Sequence, residues 1–353
     1  MRKLSILILL AIAGTFILSA QSQEERLKAL RNDIESGTYP NIDAIIVEHN
    51  GKQLVEEYYH EFDSNTPHDT RSSFKSITSL LTGIAIDKGL LTLDDTLLRF
   101  FPELEGKPQA SITVQSLLEM RSGFDCEEFY GSGPDCENDM WDTEDWVAFC
   151  LSRPVKDDPG MNWAYSSNEP MIVGEVITRA SGMSVVDFAR TYLFEPLDIH
   201  YYRWTLSPKD QGMTAGSFFM LPLDMMKIIR LVDQKGEWDG KQIVSEVWIE
   251  RSTTCDIDID FSFTRFSKMR NARYFSSYYG FYWYQERIVF GDIDTKVLFA
   301  SGNGGQYMMR LPEYDMLVVF TGSNYGNWRG KLPFEILMRY LIPLVEANAV
   351  TED

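Results

Sequence analysis

Ser72 and Lys75 stand three residues apart at the start of a run, Thr70 to Ile86, in which Phe74, Ile77, Leu80, Leu81 and Ile84 recur at three- and four-residue intervals. That spacing gives a helix one apolar face, and Asp69 or Thr70 is placed to cap its start. Ser72 then falls in the first turn, with Lys75 on the same side and within hydrogen-bond reach. A hydroxyl attacks only once a neighbour takes its proton. A lysine does so when desolvation and nearby cations lower its pKa, and the helix N-terminus favours the negative charge that develops. The pair predicts an activated serine. A chain of 353 residues holds on the order of one S-x-x-K by chance, so the flanks decide.

Those flanks are a polar loop before Ser72 and, after the apolar run, Asp87-Lys88-Gly89-Leu90-Leu91, Asp94-Asp95 and Phe101-Pro102. The whole stretch resembles the nucleophile helix of the serine β-lactamase and penicillin-binding-protein superfamily, in the class C-like branch with esterases, D-aminopeptidases and 6-aminohexanoate-dimer hydrolases. Two further stretches carry the resemblance. Trp163-Ala164-Tyr165-Ser166-Ser167-Asn168-Glu169-Pro170 is similar to the family's Y-x-N loop, with Tyr165 as the tyrosine and Ser167 in place of the asparagine. Phe299-Ala300-Ser301-Gly302-Asn303-Gly304-Gly305-Gln306 is similar to its [K/H]-[T/S]-G strand motif, with Ala300 where a cation stands. Weaker likenesses at Glu195-Pro196-Leu197, Gly212 to Lys227, Gly240 to Ser245 and Tyr279 to Tyr284 extend it from about residue 40 to 345.

The resemblance implies an α/β (α+β) chain with the β-lactamase/transpeptidase-like fold, in which terminal helices flank an antiparallel sheet and an all-α lobe is inserted. It also implies a serine hydrolase acting on an ester or amide of a small molecule or short peptide. Ser72 would be the nucleophile, Lys75 and Tyr165 the proton relay, and the amides of Ser72 and Asn303 the oxyanion donors. Gly302, Ser301 and Ser167 would contact substrate. No metal or organic cofactor is implied. A catalytically silent binding or sensory protein that keeps the fold is the alternative, favoured by Ser167 and Ala300.

The elements that must position these residues follow from local patterning. Residues 24–37 predict a helix, and Asp43 to Glu48 and Gln53 to Tyr59 predict strands joined at Asn50-Gly51, a strong hairpin signal. Helical periodicity dominates from about 76 to 250, for example in Thr113 to Met120, Thr143 to Leu151, Glu169 to Ala180 and Pro222 to Asp233. Strand signals return at Tyr279 to Tyr284, Lys296 to Ala300, Gln306 to Leu311 and Met316 to Thr321, and Pro333 opens a final helix to about Ala347. One domain over 24–345 is expected, its sheet built from about 24–70 and 279–345 around a helical lobe at about 76–250. Residues 253–278, rich in Phe, Tyr, Arg and Asp, suggest a lip over the site.

Lys plus Arg number 33 against 52 Asp plus Glu, a net charge of −19, which repels nucleic acid and anionic membrane surfaces. No G-x-S-x-G occurs, and His49, His60, His68 and His200 are scattered through loop and hairpin sequence, against a Ser-His-Asp or zinc site. Met1-Arg2-Lys3 followed by the apolar run Leu4 to Leu18 reads as a signal peptide over 1–20, with an uncleaved anchor as the alternative. A secreted or periplasmic protein without stable membrane insertion is expected. In such a compartment Cys126 and Cys136, which bracket the turn-rich Tyr130 to Asp135, are expected to pair, and Cys150 to be a buried small hydrophobe.

Overall fold

Asn50 and Gly51 join strands Ile42–His49 and Lys52–Tyr58, and both have positive φ, 50° and 68°. Two left-handed central residues make the type I′ turn, whose twist matches that of antiparallel strands. A computed structural model describes residues 23–129, 131 and 133–349 of the chain. In it the hairpin forms one edge of a nine-stranded antiparallel sheet. Beyond Ile42–His49 the order runs Met316–Gly322, Gln306–Leu311, Ile293–Gly302, Tyr284–Phe290, Ser277–Tyr279 and Ile257–Asp258, with Ala272–Arg273 also pairing on Tyr284–Phe290.

Two segments far apart in sequence therefore pair inside the sheet, second and third from its hairpin edge, with Ile45 opposite Phe320. Both of these strands are mostly apolar and, apart from His49, buried, as strands covered on both faces must be. One covering layer is the helix over residues 23–35 with the C-terminal helices, where the Tyr39 ring meets Tyr340 edge-on at 6.0 Å and Phe334 lies 5.2 Å from Phe299. The other includes helices Phe74–Asp87 and Pro222–Asp233, the latter packed on Gln306–Leu311 and Met316–Gly322.

Three departures from the expected layout bear on the site. The sheet begins at Ile257 rather than near 279, because the supposed lip contributes three short strands and the helical turn Phe263–Phe266. Tyr279 to Tyr284 is not one strand, since the chain leaves the ladder between Ser277–Tyr279 and Tyr284–Phe290. Tyr282 turns there at φ 64°, its carbonyl accepting from Ser76 Oγ at 2.6 Å and its hydroxyl donating to the Leu117 carbonyl at 3.1 Å, so it clamps the helix Phe74–Asp87 to the helix Val114–Leu118. Finally, the region read as all helical holds a three-stranded sheet of His68–Asp69, Phe218–Met220 and Tyr202–Trp204. Strands of two or three residues are too short for a period-2 pattern to emerge.

Cys126 and Cys136 form a disulfide. Cys150 is buried with its sulfur 3.7 Å from Met140 Sδ, while Cys255 lies 3.5 Å from the Trp283 carbonyl, so these two thiols do not meet. The expected leader lies outside the described residues. Among the described residues no helix is long and apolar enough to cross a membrane.

Candidate active site

Ser72 sits in the 3-10 turn Arg71–Ser73, just ahead of helix Phe74–Asp87 rather than within its first turn. Neither expected cap acts as one. Thr70 ties the turn to the small sheet, its N–H and hydroxyl both reaching the Phe218 carbonyl at 2.8 Å. Asp69 Oδ1 accepts the Arg71 N–H at 2.9 Å. Arg71 adopts φ 47°, a conformation that costs a residue with a Cβ about 1–2 kcal/mol. Its guanidinium is held by Asp69 at 3.0 Å and by the Tyr325 ring at 4.8 Å, so the strained turn that presents Ser72 is fixed from both sides.

Two glycines let other segments come close to that turn. A Cβ on Gly302 would fall 2.3 Å from the Thr70 carbonyl oxygen, and one on Gly216 would fall 3.1 Å from the Arg71 carbonyl carbon. The end of strand Ile293–Gly302 can thus lie against Ser72's own loop only because it ends in glycine.

Lys75 is 2% exposed, and its Nζ donates to Ser72 Oγ at 3.1 Å, Ser167 Oγ at 3.2 Å and the Ala215 carbonyl at 2.8 Å. The same nitrogen is 4.9 Å from the centre of the Tyr165 ring. Lys75 thus lies against Ser72, Ser167 and the Tyr165 ring, but the electrostatics are not those expected. Burial alone works against the ammonium. Tyr165, Glu137 and Glu128 outweigh it, so the Lys75 pKa is raised rather than lowered. No cation was needed to explain the site; what sequence reasoning missed was a pair of carboxylates.

Those carboxylates come from the disulfide-closed loop. Glu128 follows Cys126 by two residues and Glu137 follows Cys136 by one, in the helix Cys136–Trp141. Ser167 donates its N–H to both Glu128 oxygens, at 3.0 and 2.9 Å, and its hydroxyl faces Glu128 Oε2 at 2.9 Å and Glu137 Oε2 at 2.5 Å. Burial pushes the Glu128 carboxyl up to about 7, with Lys75 and the Ser167 N–H acting against it. Ser167, not Asn168, thus fills the third position of the tyrosine loop. The Asn168 side chain is buried with neither amide atom hydrogen-bonded. A second buried carboxylate, Glu169, accepts from Ser122 Oγ at 2.5 Å and from Ser166 Oγ, which pins the loop between Tyr165 and the helix Asn168–Ser181.

Ser72, Tyr165, Glu128, Glu137, Ser301 and Asn303 line one cavity of about 420 Å3. Ala300 is fully buried and supplies no charge. Lys331, from the turn Trp328–Lys331, lines the same cavity. Its Nζ lies 4.4 Å from the Phe263 ring centre, and burial among such rings lowers its pKa to about 8. Nothing in the sequence around Lys331 points to this role, because it reaches the site from beyond the last strand. Arg310, the other cation near the third motif in sequence, is tied to Asp233 at 2.6 Å and does not line the cavity.

The model of the Beta-lactamase family matches residues 42–334. The chain belongs to the beta-lactamase family. It is 23% identical over 224 residues to the 6-aminohexanoate-dimer hydrolase of Paenarthrobacter ureafaciens, covering 59% of this chain and 56% of that protein. The chain thus spans about half the length of this curated relative. The class C beta-lactamase of Rhodobacter sphaeroides superposes with a TM-score of 0.64 at 16% identity over 90% of this chain and 99% of that one. The octameric penicillin-binding protein homologue from Pyrococcus abyssi gives 0.66 at 18% identity over 89% and 77%. At such identities the likeness establishes the fold, and this beta-lactamase-family chain has the β-lactamase/transpeptidase fold with its antiparallel sheet and many helices.

Proposed function

We propose that the chain is a secreted serine hydrolase that opens an ester or amide bond through an acyl-enzyme on Ser72. The observation that carries this reading is the 3.1 Å contact from the buried Lys75 Nζ to Ser72 Oγ at the wall of an open cavity. Ser72 attacks the carbonyl, Lys75 receives its proton, and Tyr165 returns a proton to the leaving group. The amides of Ser72 and Asn303 take the oxyanion and Ser301 borders the substrate, while Gly302 and Ser167, buried and off the cavity wall, support the site from behind. Water then releases the acyl group. The disulfide supports an oxidising compartment and hence secretion. The intact Ser72 and Lys75 pair favours catalysis over a silent binding protein. Treatment with an organophosphonate followed by peptide mass spectrometry tests this: a covalent adduct on Ser72 is expected, and an unlabelled Ser72 would leave the binding protein as the better account.

Substrate preference follows from charge. Ala300 offers no cation to a carboxylate, and such a charge-assisted hydrogen bond is worth roughly 1.5–3 kcal/mol. The cavity also carries Glu128, Asp135 and Glu137 against Arg71 and Lys331, and Arg71 is already paired with Asp69. The missing contact should therefore weaken turnover of nitrocefin, a carboxylate-bearing lactam, by about ten- to a hundredfold in kcat/KM, while neutral p-nitrophenyl esters suffer less. Steady-state comparison of the two substrates checks this, and efficient nitrocefin turnover beside negligible ester turnover would overturn it.

A further inference from the structure

The raised Lys75 pKa leaves the reaction without a resting base, and the contacts around Ser167 offer a place for the surplus proton. Lys75 Nζ donates to Ser167 Oγ at 3.2 Å, and Ser167 Oγ donates onward to Glu128 Oε2 at 2.9 Å. Lys75 and Ser167, the inner members of the run, are 2% and 1% exposed, while Glu128 at its end is partly exposed on the cavity wall. Glu128 is fixed further by the Ser167 N–H and by the Glu137 N–H at 3.1 Å, while its own N–H donates to the Tyr165 carbonyl at 2.8 Å. A continuous set of hydrogen bonds thus joins Ser72, Lys75, Ser167 and Glu128.

Resting on the acyl-enzyme reading above, we propose that Glu128 is a positioning residue that stores the Lys75 proton, drawn off through the Ser167 hydroxyl, so that Lys75 can accept the proton of Ser72. In this step a Lys75 N–H bond breaks as Ser167 Oγ gains that proton, and the Ser167 O–H bond breaks as Glu128 Oε2 gains the other. Ammonium and carboxylate become amine and carboxylic acid with no change in total charge. The amine then takes the Ser72 proton as Oγ attacks, and that proton leaves with the departing alcohol or amine. Deacylation repeats the exchange with water as the proton source and Ser72 Oγ as the group reprotonated. The reverse hop restores the starting state.

Glu128 is surrounded by Lys75 from the nucleophile helix and Glu137 from the helix Cys136–Trp141, with Asp135, Arg71 and Lys331 on the walls of the same cavity. Its carboxyl, raised to about 7, is filled by a proton below that pH and empty above it. The store works only when empty, so acyl transfer rises with pH through about 7. Glu137 also faces Ser167 Oγ, at 2.5 Å, but lacks the second tether through the Ser167 N–H.

The test follows kcat/KM for p-nitrophenyl acetate and the rate of organophosphonate labelling of Ser72 from about pH 5 to 9 in the wild type, Glu128→Gln and Glu137→Gln. The wild type should show an acid limb with a midpoint near 7 in both readouts. Glu128→Gln should lose that limb and fall about a hundredfold in kcat, Glu128→Asp should regain part of both, and Glu137→Gln should keep the limb. Ser167→Ala, which breaks the same run while leaving the Glu128 side chain and its bond from the Ser167 N–H in place, should also lose it and serves if Glu128→Gln does not fold. A Glu128→Gln enzyme with the wild-type midpoint and rate, or loss of the limb in Glu137→Gln instead, overturns the proposal while leaving a labelled Ser72 and the hydrolase reading intact. Failure of the wild type to label at any pH removes both.

Discussion

Ser72→Ala is expected to lower hydrolysis of a p-nitrophenyl ester by about 10⁴-fold or more, the scale seen when a serine hydrolase loses its nucleophile. The fold should not notice. Ser72 Oγ accepts only from Lys75 among the described side-chain hydrogen bonds, and in the variant Lys75 keeps its bonds to the Ala215 carbonyl and to Ser167. Circular dichroism and a melting curve matching the wild type, together with loss of the phosphonate adduct, would complete the expected result. Activity within tenfold of the wild type in a correctly folded Ser72→Ala protein would remove the central claim, because the other serine hydroxyl on Lys75, that of Ser167, is buried and does not line the cavity.

Glu286→Ala should have the largest effect on stability. Glu286 is fully buried in strand Tyr284–Phe290. Its Oε1 accepts from Ser262 Oγ at 2.8 Å, from the Thr264 N–H at 3.1 Å and from Thr264 Oγ1. Its Oε2 accepts from the Phe263 N–H at 2.7 Å and from Ser277 Oγ at 2.5 Å. Removing the carboxylate strands five buried donors. Each unsatisfied donor costs about 1–3 kcal/mol, and with relaxation a net loss of about 3–5 kcal/mol is expected, a fall on the order of 10 °C in Tm. The loss should also reach the site, since Phe263, seated by this carboxylate, packs on Tyr284 at 5.1 Å and lies under Lys331. Differential scanning calorimetry decides it. A Tm unchanged by the substitution would mean that water or a rearranged loop replaces the carboxylate at no cost.

What could be read in advance was whatever neighbouring residues encode together. The Asn50-Gly51 hairpin and the helix Pro222–Asp233 follow from turn chemistry and periodicity, and both lie where the pattern puts them. The meeting of Ser72 with Lys75 is likewise a three-residue relation. Glu128 and Glu137 escaped notice because they approach Lys75 from more than fifty residues away, in a stretch whose path is set by a disulfide and one short helix. For the same reason the direction of the Lys75 pKa was misjudged: a side chain's charge neighbours are a tertiary property. Lys331 and Glu286 were silent because nothing in their own segments distinguishes a lysine lining a cavity, or a buried glutamate, from a solvated one.

The pairing of Ile42–His49 with Met316–Gly322 inside the sheet also dictates when the protein can first exist in working form. During synthesis Ser72 and Lys75 are made well before the strand ending at Gly302 and the strand Met316–Gly322. Until they arrive, Ile42–His49 has an open apolar edge, and the loop of Ser72 lacks the segment that packs against it. Long-range strand pairing of this kind is slow and leaves hydrophobic strands exposed meanwhile. The nascent chain is therefore vulnerable to aggregation and proteolysis while Ser72 and Lys75 are already present, and their surroundings are completed only once those later strands have been made.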